Sequence, residues 1–339
     1  MNTKKTSPEV VMITGASAGI GRATAQAFAK RGAHIGLLAR GHAGLEGAKR
    51  EVEKLGGHGL VLIADVADDK AVEAAAEKLE NEFGPIDIWI NDAMASVFSP
   101  IMEMTAEEYR RVTDVTYLGY VWGTQAALRR MIPRNRGVIV QVGSALAYRG
   151  IPLQSAYCAA KHAIEGFTDS LRCELIHDIK NIQVCIVEMP AVNTPQFGWV
   201  KSRLPNKAQP VPPIFQPEVA ADAVVFAATN KRREIYVGLP TVEAIVANKI
   251  APGFLDHHLA KTCYQGQQTD EPKNPNQPDN LFAPVERDFG AHGAFDSRAS
   301  KFSFELWLDK NRGAVFAAML VLIVVAIAVI FHFRSHYHP

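Results

Sequence analysis

Tyr157 and Lys161 stand four residues apart, and Ser144 lies thirteen residues before the tyrosine. Positions i and i+4 share one face of a helix, so the ammonium group of Lys161 is expected beside the phenol of Tyr157. A nearby positive charge favours the phenolate, which predicts a Tyr157 pKa lowered from about 10 toward neutrality. Such a tyrosine can give a proton to a carbonyl oxygen or take one from an alcohol, while the Ser144 hydroxyl holds that oxygen. The three residues therefore predict the interconversion of an alcohol and a carbonyl.

A glycine-rich turn near the N-terminus predicts phosphate binding. Residues 10–13 indicate a buried strand, and residues 14–21 (TGASAGIG) lead from it into an Ala-rich helix. Gly15 permits the turn, Gly19 lets a pyrophosphate approach the backbone, and Gly21 lets the helix pack closely on the strand. The helix N-terminus attracts the anion. Glycine spacing alone fits an ordinary tight turn equally well, so the motif gains its weight from the tyrosine and the lysine.

Together these motifs resemble those of the short-chain dehydrogenase/reductase family. The match rests on five segments in the right order: residues 14–21, the cofactor loop; residues 64–66 (ADV), the adenine contact; residues 91–94 (NDAM), in place of NNAG; Ser144 with residues 157–161 (YCAAK), the catalytic Ser and YxxxK; and residues 189–194 (MPAVNT), in place of a Pro-Gly turn and Thr. The resemblance covers about residues 8 to 260.

The resemblance implies a role for each matched position. Tyr157 would be the general acid and base, Ser144 would orient the substrate oxygen, and Lys161 would tune the tyrosine and bind the nicotinamide ribose. The cofactor contacts that it implies are Gly15, Ser17, Gly19, Ile20, Gly21, Asp65, Val66, Asn91, Tyr157, Lys161, Pro190 and Thr194.

Alternating strand and helix signals predict an α/β fold, a Rossmann-type doubly wound parallel sheet of about seven strands. We expect strands near 9–14, 34–39, 59–64, 86–90, 137–143, 182–188 and 235–238, and helices near 20–31, 43–55, 68–82, 106–132, 155–179, 217–230 and 240–260. Ligands bind such sheets at the carboxyl ends of the strands. The glycine loop, Asp65, Asn91, Ser144 and Pro190 all follow strands, so one cleft should gather them.

The composition is that of a folded protein without a nucleic-acid partner. The 339 residues include 21% charged residues and carry a net charge of +1. The four cysteines show neither metal-ligand spacing nor a disulfide pattern, which suits a reducing compartment. His332, His336 and His338 lie near the C-terminus, where polar residues ending a membrane helix are expected more than a metal site.

The segment from Ala314 to Phe331 contains no charge and no proline, and its length is enough to cross about 30 Å of hydrocarbon as a helix. We therefore predict a C-terminal transmembrane helix. The predicted units are a catalytic domain at 1–262, a polar linker or wrapping arm at 263–312, the membrane helix at 313–333 and a short tail at 334–339. Four basic residues precede the apolar run (Arg298, Lys301, Lys310 and Arg312) and only Arg334 follows it, which predicts a catalytic domain facing the cytoplasm.

Two further segments have unusual composition. Residues 191–216 are rich in proline and include Phe197, Trp199 and Phe215, which predicts a mobile lid with an apolar inner surface over the substrate. Residues 265–311 are rich in Pro, Asn, Gln and Asp and cannot bury enough apolar surface to fold alone. This stretch is either a spacer to the membrane or an arm wrapped on the catalytic domain.

Thr116 marks a departure from the family. Residues 115–119 read VTYLG where the family has V-N-x-x-G, so Thr116 takes the place of a catalytic Asn that helps to hold a water in a proton relay. Its hydroxyl can both donate and accept a hydrogen bond and so replace the amide, or else the relay is weaker. Met94 and Ala191 replace family glycines and are smaller changes to the pocket.

The end of the second strand decides the cofactor. An acidic residue there would bind the ribose 2′-hydroxyl of NAD, but residues 37–41 read LLARG. Arg40 can pair with a 2′-phosphate through its planar fork of donors, which favours NADP, with NAD still possible.

These observations predict a membrane-anchored, NADP-preferring oxidoreductase acting on a small, lipophilic alcohol or ketone. One alternative is a non-catalytic nucleotide sensor or scaffold on the same fold, which only Thr116 favours. Another is an anchor that serves localisation alone, with a soluble substrate. The family resemblance also implies a homodimer or homotetramer with an interface at 106–132 and 155–179.

Overall fold

A seven-stranded parallel sheet forms the centre of the protein and confirms the predicted α/β architecture. The computed structural model describes residues 8–337, with side chains as far as Ile327. The strands in this range are β1 (Val10–Thr14), β2 (His34–Ala39), β3 (His58–Ile63), β4 (Ile88–Asn91), β5 (Val97–Phe98), β6 (Gly137–Val142), β7 (Ile182–Glu188), β8 (Ala191–Val192), β9 (Lys201–Ser202), β10 (Asn206–Ala208), β11 (Ile214–Phe215), β12 (Glu234–Tyr236), β13 (Gln268–Pro272) and β14 (Ala299–Ser300). The large sheet has the order β3-β2-β1-β4-β6-β7-β12, and all its neighbouring strands are parallel. The order reverses between β1 and β4, where such sheets bind ligands.

Helices cover both faces of this sheet. They are α1 (Gly19–Ala29), α2 (His42–Lys54), α3 (Asp69–Phe83), α4 (Ala106–Thr113), α5 (Gly119–Arg134), α6 (Ser155–His177), α7 (Pro217–Thr229), α8 (Leu239–Ile250), α9 (Pro252–Gly266), α10 (Phe304–Lys310) and α11 (Arg312–Tyr337). One core contains Phe28 of α1 and Val224 of α7, and the other contains Leu79 of α3 and Ala127 of α5; all four are fully buried. Because both faces are covered, the inner strands are continuous apolar runs rather than alternating ones.

Two predicted helices are interrupted. The stretch predicted at 106–132 forms α4 and α5, joined by a π-helical turn at Asp114–Leu118. The stretch predicted at 240–260 forms α8 and α9, with Ala251 between them in a conformation that is not helical. The cause of the second break is Pro252, since a proline disfavours the helical conformation of the residue before it. Helix α9 also runs past residue 262, the predicted end of the catalytic domain.

The segment predicted to be a mobile lid, residues 191–216, is held by short strands. Strand β8 pairs with β11 within the segment, while β9 pairs with β5, β10 with β13 and β11 with β14. The aromatic ring of Phe197 contacts those of Phe98 and Phe295, with distances between ring centroids of 6.4 and 6.0 Å. Backbone pairing with three other parts of the chain thus gives this segment a defined position.

Residues 267–303, which we call the arm, wrap around the catalytic domain. Its ends are held by β13 on β10 and by β14 on β11. Between these ends, Asp288 forms an ion pair with Arg22 at 3.2 Å, and the Asn193 amide donates to Asp296 at 2.8 Å. Leu281 of the arm is fully buried in the core. Of the two arrangements that the sequence left open for this region, the structure has the wrapped one.

The C-terminal helix α11 leaves the domain after α10. Its side chains from Phe316 to Ile327 are largely exposed. Within the described residues, no single helix meets the length and hydropathy required of a membrane span; a pair bent by 88°, Phe304–Lys310 with Arg312–Ile327, meets them together. Six side chains of the predicted span, at residues 328–333 and thus including His332, lie outside the described residues, as do all side chains of the predicted tail, including His336 and His338.

The arm predicts where the chain can be shortened. A protein ending after Asn311 keeps the arm and α10 and should remain folded. A protein ending after Gly266 exposes the sites of Leu281 and Leu306, which are buried in the two cores. Since each buried leucine is worth about 1.5–3 kcal/mol, the free energy of unfolding in urea should fall by at least about 3 kcal/mol. Equal unfolding free energies for the two proteins would show that the arm does not support the domain.

Candidate active site

A cavity lies at the carboxyl edge of the sheet, over the reversal between β1 and β4. It has a volume of about 1100 Å³, part of it open to solvent. Predicted cofactor residues form much of its wall: Gly15, Ser17, Gly19, Ile20, Arg40, Asp65, Val66 and Thr194. The position of the cavity and the residues that line it fit a dinucleotide.

The glycine loop has the geometry of a phosphate cradle. Gly15 and Gly19 have φ angles of +75° and +58°, which glycine adopts without strain. A Cβ at Gly15 would lie 3.0 Å from the backbone of Ala93. A Cβ at Gly21 would lie 2.5 Å from the Gly15 carbonyl oxygen, so Gly21 serves close packing and does not itself line the cavity. The loop therefore fits the pyrophosphate of a nicotinamide dinucleotide, which the N-terminus of α1 would attract. Of the backbone donors there, the Gly19 N–H is bonded to the Gly290 carbonyl oxygen at 3.2 Å.

Ser144, Tyr157 and Lys161 do not line this cavity themselves, but Lys161 interacts with Asp92, which forms part of its wall. Ser144 lies two residues after the end of β6, and its hydroxyl accepts a hydrogen bond from the Leu146 N–H at 3.1 Å. Tyr157 and Lys161 are in the first two turns of α6, on one face as their spacing predicts. The Ser144 hydroxyl lies close enough to the Tyr157 phenol to lower the pKa of the phenol. The serine and the tyrosine are thus positioned to contact the same substrate oxygen.

Lys161 is fixed by two oxygen acceptors. Its side chain is 2% exposed, and its Nζ donates to the Val142 carbonyl at 2.6 Å and to the Tyr120 hydroxyl at 3.1 Å. The Nζ lies 5.6 Å from the centroid of the Tyr157 ring. Tyr120, which the sequence did not single out, stands one helical turn after Thr116. The four-residue spacing from Thr116 to Tyr120 is the sequence feature that could have identified Tyr120 as part of the site.

The Tyr157 phenol differs from the sequence prediction. Burial raises its pKa above the ordinary value, and the hydrogen bond from Ser144 counteracts only part of that rise. Desolvation therefore outweighs the expected effect of Lys161 in this structure. A phenol with a raised pKa carries its proton at neutral pH and is a proton donor.

Thr116 has a structural role that does not reach Lys161 directly. It is fully buried in the π-helical turn. Its hydroxyl accepts a hydrogen bond from the Ala95 N–H and donates one to the Ala95 carbonyl, both at 2.9 Å. The hydroxyl thus fixes the loop after β4, which includes Met94 in the cavity wall. π-Helical turns are frequent at functional sites.

Two acids near Lys161 have no counterpart in the predicted site. Asp92 lines the cavity, and burial raises its pKa while the charge of Lys161 opposes the rise. Glu188 is fully buried at the end of β7, and burial, reinforced by Glu165, raises its pKa as well. Burial lowers the pKa of Lys161 to about 8, although both acids oppose the fall. Glu188 could have been identified from the sequence, because it is a single acidic residue at the end of the apolar run that forms β7.

Asn91 and Pro190 lie outside the cavity wall. Asn91 is fully buried, its amide N–H groups donate to Gln141 at 2.8 Å and Thr124 at 3.2 Å, and its carbonyl oxygen accepts from Trp89 at 2.8 Å. Its side chain is thus engaged inside the protein, and its neighbour Asp92 forms the wall instead. Pro190 packs near Gly238: its Cγ lies 3.4 Å from the position that a Cβ atom at Gly238 would take.

Arg40 lines the cavity but also binds the arm. Its guanidinium donates to the carbonyl oxygens of Asn280 and Leu281. Asp65, the other charged residue at a neighbouring strand end, pairs with Arg111 at 2.5 Å. Among residues 8–337, side chains as far as Ile327, no group of three or more His, Cys, Asp or Glu could hold a metal ion.

Known proteins match this chain across the whole catalytic region. The family described as short chain dehydrogenase matches residues 9–203. An uncharacterized oxidoreductase, YxnA of Bacillus subtilis, is 32% identical over 83% of this chain and 80% of its own. A fatty acyl-CoA reductase of Acinetobacter baylyi is 30% identical over 72% of this chain and 80% of its own. Dehydrogenase/reductase SDR family member 7 of Homo sapiens is 41% identical over 49% of this chain and 50% of its own.

Removing the Thr116 hydroxyl should weaken the site, because the loop after β4 loses two hydrogen bonds. Thr116→Val leaves the buried N–H and C=O of Ala95 unpaired, which costs about 1–3 kcal/mol of unfolding free energy. Turnover should fall with it, since the loop that includes Met94 loses its support. Thr116→Ser keeps the hydroxyl and should retain most of both properties. Chemical denaturation and steady-state kinetics measure the two effects; equal behaviour of the valine and serine variants would contradict the role given to the hydroxyl.

Asp92 should control the charge of Lys161. The ammonium is present below a pKa of about 8 and is lost as the pH rises through it. Asp92→Asn removes a negative charge that raises this pKa, so the ammonium should be lost at a lower pH. The basic limb of the pH profile of cofactor affinity should therefore shift to lower pH. Asp69→Asn, on the exposed start of α3, is the matched control; a basic limb that stays in place or moves to higher pH in Asp92→Asn would refute the coupling.

Proposed function

This chain belongs to the short-chain dehydrogenase family, and we propose that it is a membrane-anchored, NADP-preferring enzyme that interconverts an alcohol and a carbonyl on an apolar substrate. Family membership makes it an oxidoreductase that uses a nicotinamide cofactor. The observation that carries the proposed reaction is the grouping of Ser144, Tyr157 and Lys161 near Asp92, a residue that lines the nucleotide cavity. These three intact residues argue against a purely nucleotide-sensing or scaffolding role.

The chain's own residues supply the proton and the orientation. The cofactor, when bound, supplies or accepts the hydride. The Ser144 hydroxyl and the Tyr157 phenol hold one substrate oxygen between them, which fixes the reacting carbon relative to the cavity. The phenol donates its proton to that oxygen as negative charge develops there.

The residues at the end of β2 support the preference for NADP. The end of β2 presents Ala39, Arg40 and Gly41 to the cavity and no carboxylate. Arg287 of the arm lines the same space. Guanidinium groups suit a 2′-phosphate, whereas an acid at the end of β2 would suit the free 2′-hydroxyl of NAD.

An apolar substrate and a membrane anchor support each other. The exposed apolar side chains of α11 have no cover within the described residues, and sequence hydropathy continues to Phe331. An anchor places the active site near lipid, where an apolar substrate concentrates. The name of the Acinetobacter relative, a fatty acyl-CoA reductase, also favours a substrate with a long apolar chain.

The proposed orientation rests on the distribution of basic residues, and the proposed assembly rests on exposed apolar side chains. Basic residues before the apolar run and the pool of NADP(H) favour a catalytic domain in the cytoplasm. A homodimer or homotetramer is supported by the exposed apolar side chains of Ile176 and Ile179 at the end of α6.

Tyr157→Phe tests the reaction. This variant removes only the phenol hydroxyl, so turnover should fall by about 10²–10⁴-fold while NADPH binding persists. Tyr117→Phe, which removes a phenol hydroxyl outside the cavity wall, should behave as the unmodified protein. Near-normal turnover in Tyr157→Phe would exclude it as the acid.

The same assay tests the cofactor and the substrate. Turnover of ketones of increasing alkyl length, with NADPH or NADH and with or without lipid vesicles, should be fastest with NADPH and with long chains in the presence of vesicles. Equal rates for short soluble ketones without vesicles would favour an anchor that serves localisation alone. A full-length protein found entirely in the soluble fraction of lysed cells would refute the anchor.

A further inference from the structure

The arm forms one wall of the nucleotide cavity. Besides the strand ends and the glycine loop, the cavity is lined by Asn280, Pro284, Val285, Arg287 and Phe289. These residues lie far beyond residue 203, where the match to the family ends. Part of the site is therefore built from a segment that the family's motifs do not include.

The contacts of residues 285–289 of the arm indicate which of them face the cavity. Glu286 accepts a hydrogen bond from the Ala43 N–H in the first turn of α2, at 3.3 Å. Asp288 forms ion pairs with Arg22 at 3.2 Å and Arg50 at 3.6 Å. These two acids thus point to the helices beneath, and the residue between them, Arg287, lines the cavity together with Val285 and Phe289.

Arg287 lies at the corner where the ends of β2 and the glycine loop meet. Its carbonyl oxygen is 3.7 Å from an ideal Cβ at Gly44, and that Cβ would be 2.9 Å from Ser17. Its guanidinium carbon is 5.4 Å from the centroid of the Phe289 ring, which packs on Trp199 at 4.2 Å. The guanidinium is thus supported by an aromatic pair at the edge of the cavity, in a position to meet an anion.

Arg40 has a different task. Its two terminal nitrogens donate to carbonyl oxygens of the arm, and the Arg111 Nε donates to one of the same carbonyls at 2.9 Å. The Arg40 side chain therefore holds the arm on the domain. Two of its five donors are engaged in that role before any ligand binds.

We propose that Arg287 of the arm reads the 2′-phosphate of the cofactor and that Arg40 acts as a positioning residue that holds the arm in place. This inference rests on the proposed preference for NADP and assigns it to a residue outside the family's motifs. It reverses the sequence prediction, in which Arg40 read the phosphate.

Binding measurements on the full-length protein in detergent test the inference. Dissociation constants for NADPH and NADH, and for 2′,5′-ADP and 5′-ADP, are compared by calorimetry for the unmodified protein and for Arg287→Ala, Arg287→Lys and Arg40→Ala. Arg287→Ala should weaken NADPH and 2′,5′-ADP at least about tenfold, the loss of one charge-assisted contact, and leave NADH and 5′-ADP nearly unchanged. Arg287→Lys, which keeps the charge without the fork, should be intermediate. Arg40→Ala should weaken both cofactors to a similar degree, because the wall of the cavity is lost for both.

Arg31→Ala, an exposed arginine outside the cavity wall, is the matched control for the change in charge. If the unmodified protein prefers NADPH but Arg287→Ala keeps that preference, the inference fails and the proposed function stands. If Arg40→Ala selectively weakens NADPH while Arg287→Ala does not, the phosphate is read by Arg40. If the unmodified protein binds NADH as tightly as NADPH, the preference for NADP and the role of Arg287 both fail.

Discussion

The buried guanidinium of Arg22 is the interaction on which the nucleotide site depends. The side chain is 1% exposed, and it binds Glu51 of α2, the carbonyl oxygens of Ser17 and Gly44, and Asp288 of the arm. A buried charge is tolerated only when it is paired and hydrogen-bonded, so these partners must come together for the charge to be stable. The glycine loop, the start of α2 and the arm are thereby fixed relative to one another. These are three of the walls of the cavity.

A second group of buried charges sets the chemistry. Lys161 lies near Asp92 and Glu188, and the three titratable groups share one poorly hydrated volume next to Tyr157. Burial pushes both acids toward their neutral forms and pushes the lysine in the same direction, so the net charge here depends on small changes in the surroundings. A ligand that brings its own charge into the cavity will alter the protonation of all three. The proton donor is therefore tuned by the contents of the site as well as by its frame.

The sequence was sufficient for the frame of the enzyme. The period of the apolar runs located the seven strands of the large sheet, and the motif order located Ser144, Tyr157 and Lys161 at its carboxyl edge. The role of the arm was left open because a polar, proline-rich segment has no period, and its position depends on contacts with residues far away in the chain. Tyr120 and Glu188 were missed since neither belongs to a motif; each acts through a neighbour that only the packing of α5 and β7 brings close. The Tyr157 pKa was predicted in the wrong direction because spacing reveals a nearby charge but not the loss of water.

The wrapped arm also has a consequence for the synthesis of this protein. Arg22 and Asp288 are 266 positions apart, and Gly19 donates its N–H to the carbonyl oxygen of Gly290. A ribosome that has made the whole sheet has not yet made the segment that covers its ligand-binding edge. During that interval the guanidinium lacks one of its carboxylate partners, and the cleft stays open along one side. Contacts between such distant parts of a chain form late, so the nucleotide site is completed only near the end of translation.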